Sequence, residues 1–135
     1  MDTDFPSRRV LRILAMLCLL GAGGCAAPGP RPTPYGAKVV FRADSPIQFR
    51  HFSLTFLGER DVTSPQYPRP FHYYDFRVAS GSETRTVSWS SGTGEIAPTS
   101  FTVAGRNFLL ELLHSERRGT LKSNELVVTP APGTA

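Results

Sequence analysis

The sequence predicts an all-β protein, an antiparallel β-sandwich of about seven strands, with a small β-barrel as the alternative. Three observations lead there. From Ala37 onward apolar residues recur with a period of two, in short runs that suit half-buried strands. Clusters such as Ser80-Gly81-Ser82 and Ala104-Gly105-Arg106-Asn107 separate the runs and supply turn chemistry. The 135 residues include 12 glycines and 12 prolines, a frequency that interrupts long helices.

Taken in order, Ala37–Ala43 is the first expected strand, with Val39 and Phe41 on one face and Lys38, Val40 and Arg42 on the other. Asp44-Ser45-Pro46 ends it. Ile47 and Phe49 then share one parity, whereas Phe52, Leu54 and Phe56 share the other. The slip at Arg50-His51 predicts a β-bulge or a crossing between sheets. Gly58 and the charged Glu59-Arg60-Asp61 close this strand. Thr63–Pro70, with Pro65, Pro68 and Pro70, reads as a loop. Phe71–Ala79 and Thr84–Trp89 form a hairpin about Ser80-Gly81-Ser82. Its core side carries Tyr74, Phe76, Val78, Val87 and Trp89, and Tyr73, Asp75 and Arg77 point the other way. Ser90 to Gly94 is a loop, and Pro98 breaks the chain again. Phe101 and Val103 lead into the second turn. Asn107–Ser115 then puts Phe108, Leu110 and Leu112 on one face and Leu109, Glu111 and Leu113 on the other. Its leucines and glutamate would also suit a short helix, but the preceding hairpin signal favours a strand. Arg117-Arg118-Gly119 turns the chain, and Glu125–Thr129 closes the set with Leu126 and Val128. The pattern resembles immunoglobulin-like sandwiches, in which Trp89 would stand as the core tryptophan without a flanking disulfide.

Upstream lies a different kind of sequence. Ser7-Arg8-Arg9-Val10-Leu11-Arg12 is positively charged, and Ile13 to Leu20 is an uninterrupted apolar run. That run is far short of the ~20 residues needed to span a bilayer. Leu19-Leu20-Gly21-Ala22-Gly23-Gly24-Cys25 follows with small residues ending in a cysteine. This stretch resembles the lipobox of bacterial lipoproteins, departing from it at Ala22, where the family most often has leucine. The resemblance implies that residues 1–24 are a signal peptide and that the Cys25 sulfur takes a diacylglycerol. The new amino group is then acylated, for example with palmitate. Ala26 after the cysteine, rather than an aspartate, implies transfer to the outer membrane. Arg8-Arg9 also resembles a twin-arginine motif, but Arg12 stands where that motif prefers an apolar residue, which favours the general secretory route. At ~0.8 kcal/mol per buried methylene, two or three acyl chains hold a small protein on the bilayer. Residues 25–36 then read as the lipidated cysteine and a tether. Pro28, Pro30, Pro32 and Pro34 favour an extended spacer of roughly 30 Å. Residues 37–130 are the β domain and 131–135 a tail.

Charge and cysteine usage exclude several chemistries. Fifteen basic and 11 acidic residues give a formal charge of +4. Removing Asp2, Asp4, Arg8, Arg9 and Arg12 leaves +3, scattered without a dense run, so no nucleic-acid partner is expected. Cys18 leaves with the signal peptide and Cys25 is lipidated. The domain therefore has no cysteine for a disulfide, a thiolate nucleophile or a zinc site. His51, His72 and His114 stand alone, without metal-ligand or zinc-protease spacing, and neither a metal nor a cofactor is expected. On a strand His72 and Asp75 face opposite ways. Ser90-Ser91-Gly92-Thr93-Gly94 lacks the strand–turn–helix setting of a nucleophile elbow, and Gly92-Thr93-Gly94-Glu95 lacks the lysine of a phosphate loop. The sequence points away from an enzyme.

Two stretches offer partner-binding residues. The first is Tyr67, Arg69, Phe71, His72 and Tyr73, aromatic rings and a cation among rigid prolines. The second is the hydroxyl-rich Ser88–Glu95, with Ser91, Thr93 and Glu95. The expectation is a membrane-anchored envelope lipoprotein facing the periplasm, acting as a non-enzymatic binding or assembly module. Its partners are the lipid bilayer, through acylated Cys25, and a protein or peptidoglycan component of the envelope. Two alternatives stand beside it. One is a periplasmic inhibitor of a lysozyme-like enzyme that uses Ser88–Glu95; the other is a small hydrolase that uses His72 or His114 with a serine.

Overall fold

In the computed structural model, which describes residues 29–91, 97–117 and 120–133, every regular element is a strand. Val39–Val40 (β1) and Ile47–Gln48 (β2) are short. Ser53–Val62 (β3), Phe71–Ser80 (β4) and Glu83–Ser91 (β5) are long, as are Arg106–Arg117 (β7) and Thr120–Pro130 (β8), with Thr99–Val103 (β6) between them. They form two antiparallel four-stranded sheets, ordered β2-β3-β4-β5 and β1-β8-β7-β6. The sheets are not closed into a barrel; the architecture is a β-sandwich. Consecutive strands lie side by side around it, without the strand exchange of a Greek key.

The alternation read from the sequence is the alternation buried. Tyr74, Phe76 and Val78 of β4 and Trp89 of β5 are fully buried, as are Leu110, Leu126 and Val128 of the facing sheet. Each such side chain contributes about 1.5–3 kcal/mol of transfer free energy. Phe41 meets Phe76 edge-on, with ring centroids 5.3 Å apart. Phe52 meets Phe101 in the same way at 5.4 Å, the arrangement that ring quadrupoles favour. The stretch Asn107–Ser115, for which a helix was the alternative, lies within β7.

Two irregularities fall elsewhere than the parity slip suggested. Arg50-His51 is neither a bulge nor a crossing: it is the two-residue tip of the β2–β3 hairpin. Gln48 pairs with Ser53, and the Phe49 N–H donates to the Phe52 carbonyl at 2.9 Å. A chain that reverses also reverses its parity, which is why both apolar sets are buried. The bulge lies later, at Leu57, between the Phe56–Phe76 and Gly58–Asp75 pairs. There Gly58 takes φ 154°, a value that side-chain-bearing residues avoid. Because the bulge adds a residue, β3 does not stop at Gly58 but runs on to Val62 with its parity shifted.

The sandwich unit begins at Arg31, ahead of the Ala37 at which alternation starts. Thr33 pairs in parallel with Phe49, and the Gly36 N–H donates to the Val128 carbonyl at 2.8 Å. β1 then lies on β8, and Ala43 crosses to pair in parallel with Phe56. This N-terminal lead passes from one sheet to the other and back, sealing that side of the sandwich. On the other side β5 and β6 leave a groove of about 640 Å³ lined by Arg85, Val87, Ser88, Thr99, Phe101 and Asn107.

Candidate binding end of the sandwich

The antiparallel register brings the β3–β4 connection, the end of β5 and the end of β7 to one end of the sandwich. The lead enters at the other, beside the tips of β2–β3, β4–β5 and β6–β7. His72 pairs with Asp61 on one side and Ser91 on the other, and Tyr74 pairs with Glu59 and Trp89. These rows share the inner face because the bulge at Leu57 turns Glu59 and Asp61 inward and Arg60 outward.

On the inner face the apolar core gives way to a histidine held between two carboxylates. His72 Nε2 lies 3.0 Å from Glu59 Oε2, and its Nδ1 meets Asp61 Oδ1. Both contacts are full hydrogen bonds only when both nitrogens donate, as in the imidazolium. Facing them, His114 packs on Trp89 with ring centroids 4.7 Å apart. Trp89 Nε1 and both ring nitrogens of His114 have no hydrogen-bond partner among the described residues. Burial and the nearby His72 push the His114 ring below the usual histidine range. The Ser123 N–H donates to the Tyr74 hydroxyl at 3.3 Å, linking the sheets. Burial outweighs that contact and raises the Tyr74 phenol above its ordinary value.

On the outer face Arg60 stacks over the Tyr73 ring at 4.2 Å and donates from Nε to Asp75 Oδ2 at 2.8 Å. The Ser88 hydroxyl donates to the other carboxylate oxygen at 2.5 Å. Burial alone would raise the Asp75 carboxyl. The Ser88 and Arg60 bonds and the Arg60 charge outweigh it and hold the group below the usual carboxylate range. Next to this pair Tyr67, 47% exposed, stands edge-on to Phe71 at 5.0 Å. The exposed Val62 pairs with Phe71. Arg69 is exposed in the same loop.

Of the expected partner-binding residues, Tyr67, Arg69, Phe71, His72, Tyr73 and Ser91 thus come to one end. Phe71 and Tyr73 point outward and His72 inward. Thr93, Glu95 and Cys25 lie outside the described residues, as do residues 1–24, expected to be a signal peptide, and the second half of the Ser88–Glu95 stretch, residues 92–95. The sequence did not single out Glu59, Arg60, Asp61 or Asp75, whereas Ser88 opens the hydroxyl-rich stretch expected to bind. Glu59 and Asp61 read as strand-ending charges because the extra residue at Leu57 hides their shared face.

The row Asp61–His72–Ser91 has the composition of an acid–base–nucleophile set, but its hydrogen bonding differs from one. The position a serine hydroxyl would take at Nε2 is held by Glu59. No group of three or more metal-ligating side chains converges among the described residues. The described residues therefore form an end with two surfaces: an outer ledge of rings and arginines, and an inner acid–histidine mouth. No family model, curated protein or solved structure matches this chain.

Proposed function

We propose that this chain is an envelope lipoprotein, anchored through acylated Cys25 to the outer membrane, whose β-sandwich is a non-enzymatic binding or assembly module facing the periplasm. The observation that carries the reading is the opposition of the two ends. The chain arrives from Cys25 at one, and the Tyr67–Phe71–Tyr73 ledge with Arg60 and Arg69 stands at the other. A tethered module works in this way: the anchored end stays at the bilayer and the contact surface reaches outward. Tyrosine and arginine suit that surface because they combine large contact area with polar ends. The partner is a protein or peptidoglycan component of the envelope.

Cross-linking and pull-down from membranes test this. The Tyr67→Ala/Arg69→Ala double variant is expected to lose the captured partner while keeping its thermal midpoint, since both side chains are exposed. A partner retained at wild-type yield removes the ledge from the reading. Mass spectrometry of the mature amino terminus tests the anchor; an unmodified Cys25 overturns it.

A further inference from the structure

We propose that the end at which the chain enters the sandwich is a headgroup site for anionic phospholipid, built on Arg50, His51 and Arg106. The proposal rests on the Cys25 anchor and deepens it, giving the anchored end a polar contact with the bilayer.

The residues meet there because two turns do. Arg50 and His51 are the tip of the β2–β3 hairpin, and Arg106 follows the Ala104–Gly105 turn. Both arginines are exposed, and neither has an ion-pair partner among the described residues. The His51 ring lies 6.4 Å from the ring of Phe108, two residues beyond Arg106 on β7, which brings both arginines to this end, and their charges act on both His51 and Tyr35. Arg31, also exposed, precedes Thr33, whose N–H donates to the Gln48 carbonyl of the same hairpin at 2.7 Å. The nearest carboxylate offered by the neighbouring turns, Glu83, is already engaged with Arg85 and with the Ala104 N–H. This end is therefore left with a local excess of positive charge.

It also has a shaped recess. A cavity of about 330 Å³ beside Arg50 and His51 is lined also by Gln48, Phe52, Ser53 and Ser80; Gln48 and Ser80 brace it by donating to the backbone carbonyls of Phe49 and His51. The Tyr35 hydroxyl and His51 Nδ1 share a hydrogen bond at 2.9 Å, and the two rings stack at 6.0 Å. This contact fixes the orientation of the His51 ring. Partial burial and the Arg106 and Arg50 charges hold His51 below the usual histidine range. Beside it stand two permanent cations, and arginines suit the oxygens of a phosphodiester.

The tether supplies proximity. Only five residues, Ala26 to Pro30, separate Cys25 from Arg31 in the sequence, and a fully extended chain of that length reaches at most about 20 Å. The surface charge of a bilayer is felt over about one Debye length, ~8–10 Å, and contributes ~1 kcal/mol per arginine near it. At the opposite end the arginine Arg60 is instead paired with a carboxylate, Asp75, and Glu59 and Asp61 stand beside it.

The test uses residues 26–135 without acyl chains, since every core side chain lies in the unit that begins at Arg31. The protein is floated with vesicles of phosphatidylcholine alone and with vesicles containing phosphatidylglycerol. Binding is expected only to the latter. Arg50→Gln/Arg106→Gln should weaken it about 25-fold, fivefold per arginine. Arg50→Lys/Arg106→Lys should retain most of it, and Arg69→Gln at the far end should leave it unchanged. Equal binding to both vesicles, or a glutamine double variant that binds like wild type, overturns the site. So does perturbation of Arg50 and His51 resonances by inorganic phosphate without vesicle binding, which would mark a free-anion site. Acylation of Cys25 is read separately by mass. An acylated cysteine without a phosphatidylglycerol preference sinks this proposal alone; an unmodified cysteine with that preference sinks the anchor alone.

Discussion

At the scale of single residues, His114 ties stability to pH. Its ring is packed against Trp89 and Tyr74 and faces His72, with Asp61 and Glu59 beyond and Ser123 paired to it across β8. Burial favours the neutral ring, so the folded chain takes up a proton only below the usual histidine value of ~6.5, whereas the unfolded chain takes it up there. The stability this contributes is fully present above pH ~6.5 and is lost as pH falls through the lower folded value. Thermal midpoints at pH 7 and pH 5 should therefore differ more in wild type than in His114→Leu, and equal slopes would refute it. His51 is shifted in the same direction and adds to the pH dependence that remains in the variant. Asp75 acts lower still: the stability it contributes is present above the usual carboxylate value and is lost as pH falls below that value, where protonation releases Arg60 and Ser88. None of this is legible from composition: His51, His72 and His114 look alike in sequence. One stacks under a tyrosine, one is clasped by carboxylates, and one is buried without partners because strand register sets different neighbours around each.

At the scale of elements, the turns decide more than the strands do. The alternation of Phe71–Trp89 and of Phe108–Leu112 was readable because a period of two has one physical meaning when one face is buried. Arg50-His51 was not, since a tight hairpin and a bulge produce the same parity slip and neither residue is a usual turn former. The β6–β7 turn is a case of imperfect turn chemistry: Ala104 takes φ 49° and Gly105 φ 69°. A side chain in that left-handed region costs roughly 1 kcal/mol, and asparagine tolerates it. Ala104→Asn should raise stability by about 0.5–1 kcal/mol, read as a higher midpoint in denaturant with unchanged slope. A neutral or lower midpoint would show that the Ala104 N–H bond to Glu83, at 3.2 Å, depends on the present backbone.

At the scale of the whole molecule, the lead makes the domain larger than its alternating part. The sequence marked Ala26–Gly36 as a spacer because prolines exclude regular pairing. Yet Tyr35 stacks on Phe49 at 5.7 Å and meets Phe108 of the other sheet at 5.2 Å. A ring that plugs the end of a sandwich announces itself by no periodicity, only by the partners the fold supplies. Tyr35→Ala is expected to cost about 2–3 kcal/mol, less than a fully buried aromatic because the ring is partly exposed. Deleting residues 26–30 should cost nothing measurable in denaturant unfolding; a loss comparable to Tyr35→Ala would place part of the core upstream of Arg31. The attachment of the lead to both sheets has a mechanical consequence as well. In the proposed anchoring, a pull along the chain from the bilayer reaches Thr33 first, at its isolated parallel bridge with Phe49 and its N–H bond to the Gln48 carbonyl. It reaches Gly36 next, on the opposite sheet. Tension is thus divided between the two layers before it comes to the buried rings.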